Sequence, residues 1–196
     1  MLPKRISVKF FAQNSEVVDV AAFTPVLQRW IQENRGEGLL IDVVDYKHMH
    51  EGPGIILIGD EGDYAYDLRD GRPGVMYVLK RYDEDTLQGI LQTSFRRVLD
   101  AALQLETEGS LNGLRFNYGE AKIEFLDRLN YPNSTETLKA VQSELQAFAD
   151  TRFDSTVKIE PAHDDPRETF AVKLSAEQAT SGAQLAERVA APVAEA

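Results

Sequence analysis

Apolar residues along this chain recur with two periods, alternating in short runs and spaced by three and four in longer ones, which predicts strands interleaved with helices. Residues 8–13 read as a short strand. A helix then begins near Thr24, whose hydroxyl can cap it while Pro25 sits where its missing N–H costs nothing, with Leu27, Trp30 and Ile31 on its apolar face and Gly36 and Gly38 ending it. Residues 39–46 and 55–59, rich in Ile, Val and Leu, read as strands joined across Gly52-Pro53-Gly54. Two further strands are expected at 64–68 and 75–80, separated by the turn-forming run 70–74.

Leu87, Leu91, Phe95, Val98, Ala102 and Leu105 line one face of a long helix over 84–108, with Asp83 as its expected cap and Gly109 closing it. Strands follow at 114–118 and 121–129, interrupted by Gly119. Asn133 and Glu136, in capping-box spacing, open a helix buried along Leu138, Val141, Leu145 and Phe148. Strands at 156–160 and 169–174 complete a domain spanning 1–177. From Gln178 onward the chain is dominated by alanine and small polar residues, and 178–196 reads as a flexible C-terminal tail. Leu185, Val189 and Val193 recur at four-residue spacing, so a partner-docking peptide is the alternative there.

Laid over itself with an offset of 115 residues, the chain brings strand, helix, strand and strand into coincidence. Val8 falls on Ile123, Phe10 on Phe125, Trp30 on Leu145, Val44 on Ile159 and His48 on His163. Segments 4–60 and 119–175 therefore read as a duplicated βαββ unit, with a hairpin and the long helix added between the copies. The competing explanation is that apolar periodicity alone aligns any two α+β segments. The βαβββ order of the first half is similar to the modules of the glyoxalase-like, vicinal-oxygen-chelate family. That family pairs such units around a divalent metal, and the resemblance implies a cleft between paired modules. It is one of element order: the family draws a ligand from its first strand, where Val8, Lys9, Phe10 and Phe11 offer none, and the long helix has no counterpart there.

With 196 residues, 43% of them hydrophobic, the chain can bury a core without a disulfide or metal staple. Cysteine is absent, which excludes thiolate chemistry and fits a reducing compartment. Lys4 and Arg5 precede only a short, interrupted apolar run, so neither a signal peptide nor a membrane span is expected, and the cytoplasm is the default. A formal charge of −11, with Lys and Arg scattered singly, makes nucleic acid and anionic membranes poor partners.

His48 and His50 are one residue apart, so an extended segment 46–51 would point both imidazoles to one side. Glu51, Asp60, Glu61 or Asp63 could add a carboxylate across the hairpin, with His163 available under the duplication. Such a set suits a divalent transition metal such as zinc, and an open coordination position would support metal-assisted hydrolysis or isomerisation. Exposed polar turn residues are the alternative. The acidic run from Asp60 to Asp63 has no EF-hand spacing and reads as a hairpin tip, and neither a phosphate-binding loop nor a nucleophile elbow is present. Tyr64 and Tyr66 share one face of a strand, where they could line a pocket or an oligomer interface, or pack in the sheet.

The expectation is an α+β protein with a mainly antiparallel sheet covered by about three helices. Its expected role is non-enzymatic: a binding or accessory protein without a cofactor, forming a homo-oligomer through sheet edges or the tyrosine-bearing face, or engaging another protein partner. The alternative is a metal-dependent hydrolase or isomerase using His48 and His50.

Overall fold

Alternation of buried and exposed residues along the strands resolves into one eight-stranded antiparallel sheet in the computed structural model, which describes residues 2–178 and 180–191. The strands are β1 (Ile6–Ala12), β2 (Leu40–Tyr46), β3 (Gly54–Gly59), β4 (Gly62–Asp67), β5 (Gly74–Leu79), β6 (Phe116–Phe125), β7 (Val157–Pro161) and β8 (Ala171–Ala176). The helices are α1 (Phe23–Glu33), α2 (Leu87–Glu106), α3 (Thr135–Arg152) and α4 (Gly182–Ala190). The expected α+β class with a mainly antiparallel sheet is therefore what the chain adopts.

The strand order is β2-β3-β4-β5-β1-β6-β8-β7. With the β4–β5 hairpin set aside, it reads β2, β3, β1 from one edge and β7, β8, β6 from the other. In the second segment β8 pairs directly with β6, whereas in the first β4 and β5 stand between β3 and β1, so the segments share an element order but not every strand pairing. Val8 and Ile123, equivalent under the 115-residue offset, stand directly opposite each other where β1 pairs with β6. The two segments thus share one continuous sheet.

The helices lie on one face. Phe23 of α1 stacks on Tyr66 at 3.9 Å between ring centroids, and Trp30 meets Tyr64 edge-on at 6.2 Å. Phe95 of α2 packs edge-on to Phe10 at 5.8 Å and also touches Phe148 of α3. Beneath them, Ile6, Val8, Phe10, Ala121, Ile123 and Phe125 alternate into one core, as strand geometry dictates. No α-helix covers the opposite face among the described residues, and Ser7, Lys9, Lys122 and Glu124 point that way.

Several local expectations shift for identifiable reasons. Helix α1 ends at Asn34, which takes the left-handed conformation (φ 51°) before either glycine is reached. Thr86, not Asp83, caps α2 by accepting from the Gly89 amide, and Ser134 caps α3 by accepting from Thr137. This frees Asn133 to donate to the carbonyls of His163 and Asp165, tying the start of α3 to the β7–β8 connection. Gly119 does not interrupt a strand. It lies within β6, where the pairing with β1 shifts register between Phe10 and Phe11.

The segment expected as a tail from Gln178 onward contains α4 instead. Ser181 caps it by accepting from Gln184, and Leu185 and Val189 are fully buried. Those residues recur at helical spacing because they dock into the core beside α2 and α3, with Gln92 of α2 donating to the Val189 carbonyl and Arg152 of α3 to that of Arg188. Val193 lies outside the described residues.

Candidate functional site

The β2–β3 connection determines the fate of the histidine pair. Strand β2 ends at Tyr46, and 47–51 is a turn closed by the Met49 amide on the Tyr46 carbonyl, with Glu51 in a left-handed conformation (φ 50°). The extended geometry that would have aligned His48 with His50 is therefore absent, and both side chains are exposed. The reason is Gly54, whose φ of 67° and close approach to the Tyr66 carbonyl, 2.0 Å from where a Cβ would sit, start β3 only there. Asp60 pairs with Arg81 at 2.6 Å, and Asp63 with Lys80 at 2.7 Å. His163 sits in the β7–β8 connection, the counterpart of the His48 turn but at the other edge of the sheet, with six strands between β2 and β7. At about 4.8 Å per strand the two turns are roughly 30 Å apart. Among the described residues, no group of three or more His, Asp or Glu side chains is placed to hold a metal ion.

Tyr64 and Tyr66 do share a face, and it is the helix-covered one. Both are buried, at 4% and 1% exposure, so neither forms an oligomer surface. Burial also raises the phenol pKa of both. Tyr64 contributes to a cavity of about 440 Å³ between α1 and α2. There Arg35 and Arg97 are balanced by Glu37 and Asp100.

The face away from the α-helices holds a charged cluster that no sequence motif marks. Cross-strand register sets Lys9 opposite Lys122 and Lys122 opposite Lys173, a row of three lysines on β1, β6 and β8. Residues 68–72 fold back over it. Lys9 Nζ donates to Asp67 at 2.6 Å and to the Arg69 carbonyl, and Arg69 in turn donates to Asp67, to Glu124 and to the Met76 sulfur. Asp70, held left-handed at φ 64°, accepts from Lys122, which also pairs with Glu124 at 3.1 Å. Ser7 donates to Glu124. Glu120 takes a bidentate pair from Arg72 and a third contact from Lys173 at 2.8 Å.

Electrostatics follow from this packing. Burial lowers the Lys9 ammonium pKa, and the neighbouring Asp67 carboxylate opposes the shift. Burial works to raise Glu124, but the Arg69 and Lys122 charges outweigh it and hold the carboxyl below its ordinary range. The Arg72 hydrogen bonds, reinforced by Lys173, depress Glu120 to about 2. A cavity of about 230 Å³ opens beside the network, lined by Phe11, Asp70, Arg72, Lys122, His163 and Lys173 together with Pro161 and Ala162. The Arg72 guanidinium stacks 3.8 Å above the Phe11 ring. Polar residues alternating with apolar ones in both β1 and β6 were the available signal. Their burial depends on the 68–72 connection, which the alternation does not reveal.

The sheet edges form the remaining surface. Leu39 (68% exposed), Ile41 (55%), Tyr46 and Met49 all lie on or beside edge strand β2, leaving only Val17 and Leu129 as exposed large apolar residues elsewhere among those described. Edge strand β7 instead presents Lys158 and Glu160, which pair with each other, and ends in Pro161. No described helix is long and apolar enough to cross a membrane. No protein-family model matches the chain, and no curated protein matches it.

Proposed function

We propose that this chain is a non-enzymatic binding or accessory protein that self-associates through edge strand β2. The observation that carries the reading is the concentration of exposed apolar side chains on β2, one of the two open edges of the sheet. An edge strand offers a row of free N–H and C=O groups, and natural sheets blunt such rows with charge and proline. Strand β7 is blunted in that way. At β2, Ile41 and Tyr46 add apolar area to the open backbone.

The occupant we assign is a second copy, because a two-fold, self-complementary contact is the commonest way such an edge is closed. A two-fold antiparallel register centred on Val44 sets Asp42 opposite Tyr46 and Val43 opposite Asp45 of the second copy, so no two carboxylates face each other directly. The absence of cysteine is compatible with the cytoplasmic setting assigned as part of the same reading.

Sedimentation velocity across about 1 to 200 µM tests the proposal, a range that spans the affinities of modest interfaces. The expected result is a concentration-dependent dimer that Ile41→Lys and Tyr46→Lys abolish without lowering the melting temperature. A monomer throughout, or a dimer indifferent to both substitutions, would overturn it.

A further inference from the structure

We propose that the cleft on the face away from the α-helices, between the 68–72 connection and the β7–β8 connection, binds a small phosphate monoester with a compact apolar body. Three lysines directly opposite one another on neighbouring strands repel unless carboxylates offset them. Carboxylates offset that repulsion incompletely. Lys9, Arg69, Arg72, Lys122 and Lys173 exceed Asp67, Asp70, Glu120 and Glu124 by one charge, in a chain whose total is −11. The cavity between α1 and α2 is neutral, and the cavity at the start of α3 is lined by Glu136 and Asp164 with His163 as its one basic group. The surplus of positive charge is therefore local to this cleft, where low-dielectric walls strengthen its attraction for an anion.

The lining also defines the ligand. Lys173 directs one ion pair to Glu120 and retains further donors, and no described residue hydrogen-bonds the His163 ring. Lys122 and Lys173 are compact point charges of the kind phosphate takes. The Phe11 ring, held under Arg72, and Pro161 give the cleft an apolar side for the ester group. At about 230 Å³ the space falls below the ~300–1,000 Å³ of drug-sized sites, so the ligand is small. Asp70 accepts from Lys122, and its left-handed backbone places an internal carboxylate where an incoming anion competes.

Isothermal titration of the full chain with phenyl phosphate, inorganic phosphate and benzoate tests the proposal. The expected result is one phenyl phosphate per chain, weaker inorganic phosphate, and benzoate weakest. Lys173→Met, at a half-exposed position that leaves the fold intact, weakens phenyl phosphate by about tenfold, the worth of one lost charged contact. Asp70→Asn tightens it by removing the internal competitor. No binding of either phosphate at millimolar concentration, equal affinity in Lys173→Met and the parent, or benzoate binding as tightly as phenyl phosphate would each overturn the assignment. Because β2 lies at the far edge of the sheet, loss of phosphate binding and loss of self-association are separate results.

Discussion

Lys9 and Asp67 form an ion pair of 2.6 Å with side chains only 3% and 1% exposed, on the face of the sheet that no described α-helix covers. Burying two charges costs several kcal/mol each, and their attraction recovers this only when further hydrogen bonds satisfy both groups. Arg69 supplies those bonds, through its side chain to Asp67 and its carbonyl to Lys9.

Breaking that pair from one side leaves a buried, uncompensated charge. Asp67→Asn is expected to lower the unfolding free energy by about 3–5 kcal/mol, whereas the double change Lys9→Met with Asp67→Leu recovers much of the loss. Urea denaturation of the two variants measures the difference. Equal stability of the single variant and the parent would contradict the buried-pair geometry.

The acid limb of stability carries the signature of Glu120. Its carboxyl is depressed in the folded state from an ordinary 4.5 to about 2, first by the Arg72 hydrogen bonds and then by Lys173. A depressed carboxylate contributes stability that is fully present above the unfolded pKa and lost as pH falls through the folded one. The contribution from Glu120 should therefore disappear between about pH 4.5 and pH 2. Arg72→Met is expected to flatten that part of the curve, read from melting temperatures at stepped pH, and an unchanged slope would count against the Arg72–Glu120 pair.

The C-terminal helix should behave as part of the core. Leu185→Ala removes a fully buried side chain and is expected to cost about 2–5 kcal/mol. A chain ending at residue 178 should melt well below the full-length protein. Unchanged melting of both would mean that α4 contributes nothing to stability.

His48 and His50 are expected to be energetically silent. Both are exposed in a turn and neither is hydrogen-bonded by a described residue, so changing both to alanine should alter stability by less than about 0.5 kcal/mol. Thermal melting with and without added zinc checks this. A zinc-dependent rise in the parent that the double variant lacks would restore the metal reading.

Much of the architecture was written in local patterns. Leu87 through Leu105 marked α2, and the alternating runs around Val8 and Ile123 marked the two central strands, because burial of one face imposes its period directly on the sequence. Long-range arrangement was not local. The alternation of Tyr64 with Tyr66 showed that they share a face, but only the packing of Phe23 and Trp30 decides that the face is the covered one. Residues 182–190 looked too small and alanine-rich to anchor, yet Gly182 lets the helix start against Tyr118, where a Cβ would lie 2.5 Å from the ring. The histidine pair failed for a local reason, since the strand stops at Tyr46. The lysine row could not be seen because Lys9, Lys122 and Lys173 become neighbours only through strand pairing.

Edge pairing makes a direct demand on the backbone of β2. Amide hydrogen exchange followed at low and high protein concentration should show slowing confined to residues 40–46, where free N–H groups acquire partners in a second copy. Exchange that is independent of concentration, or protection that appears elsewhere and spares β2, would contradict self-association through this edge.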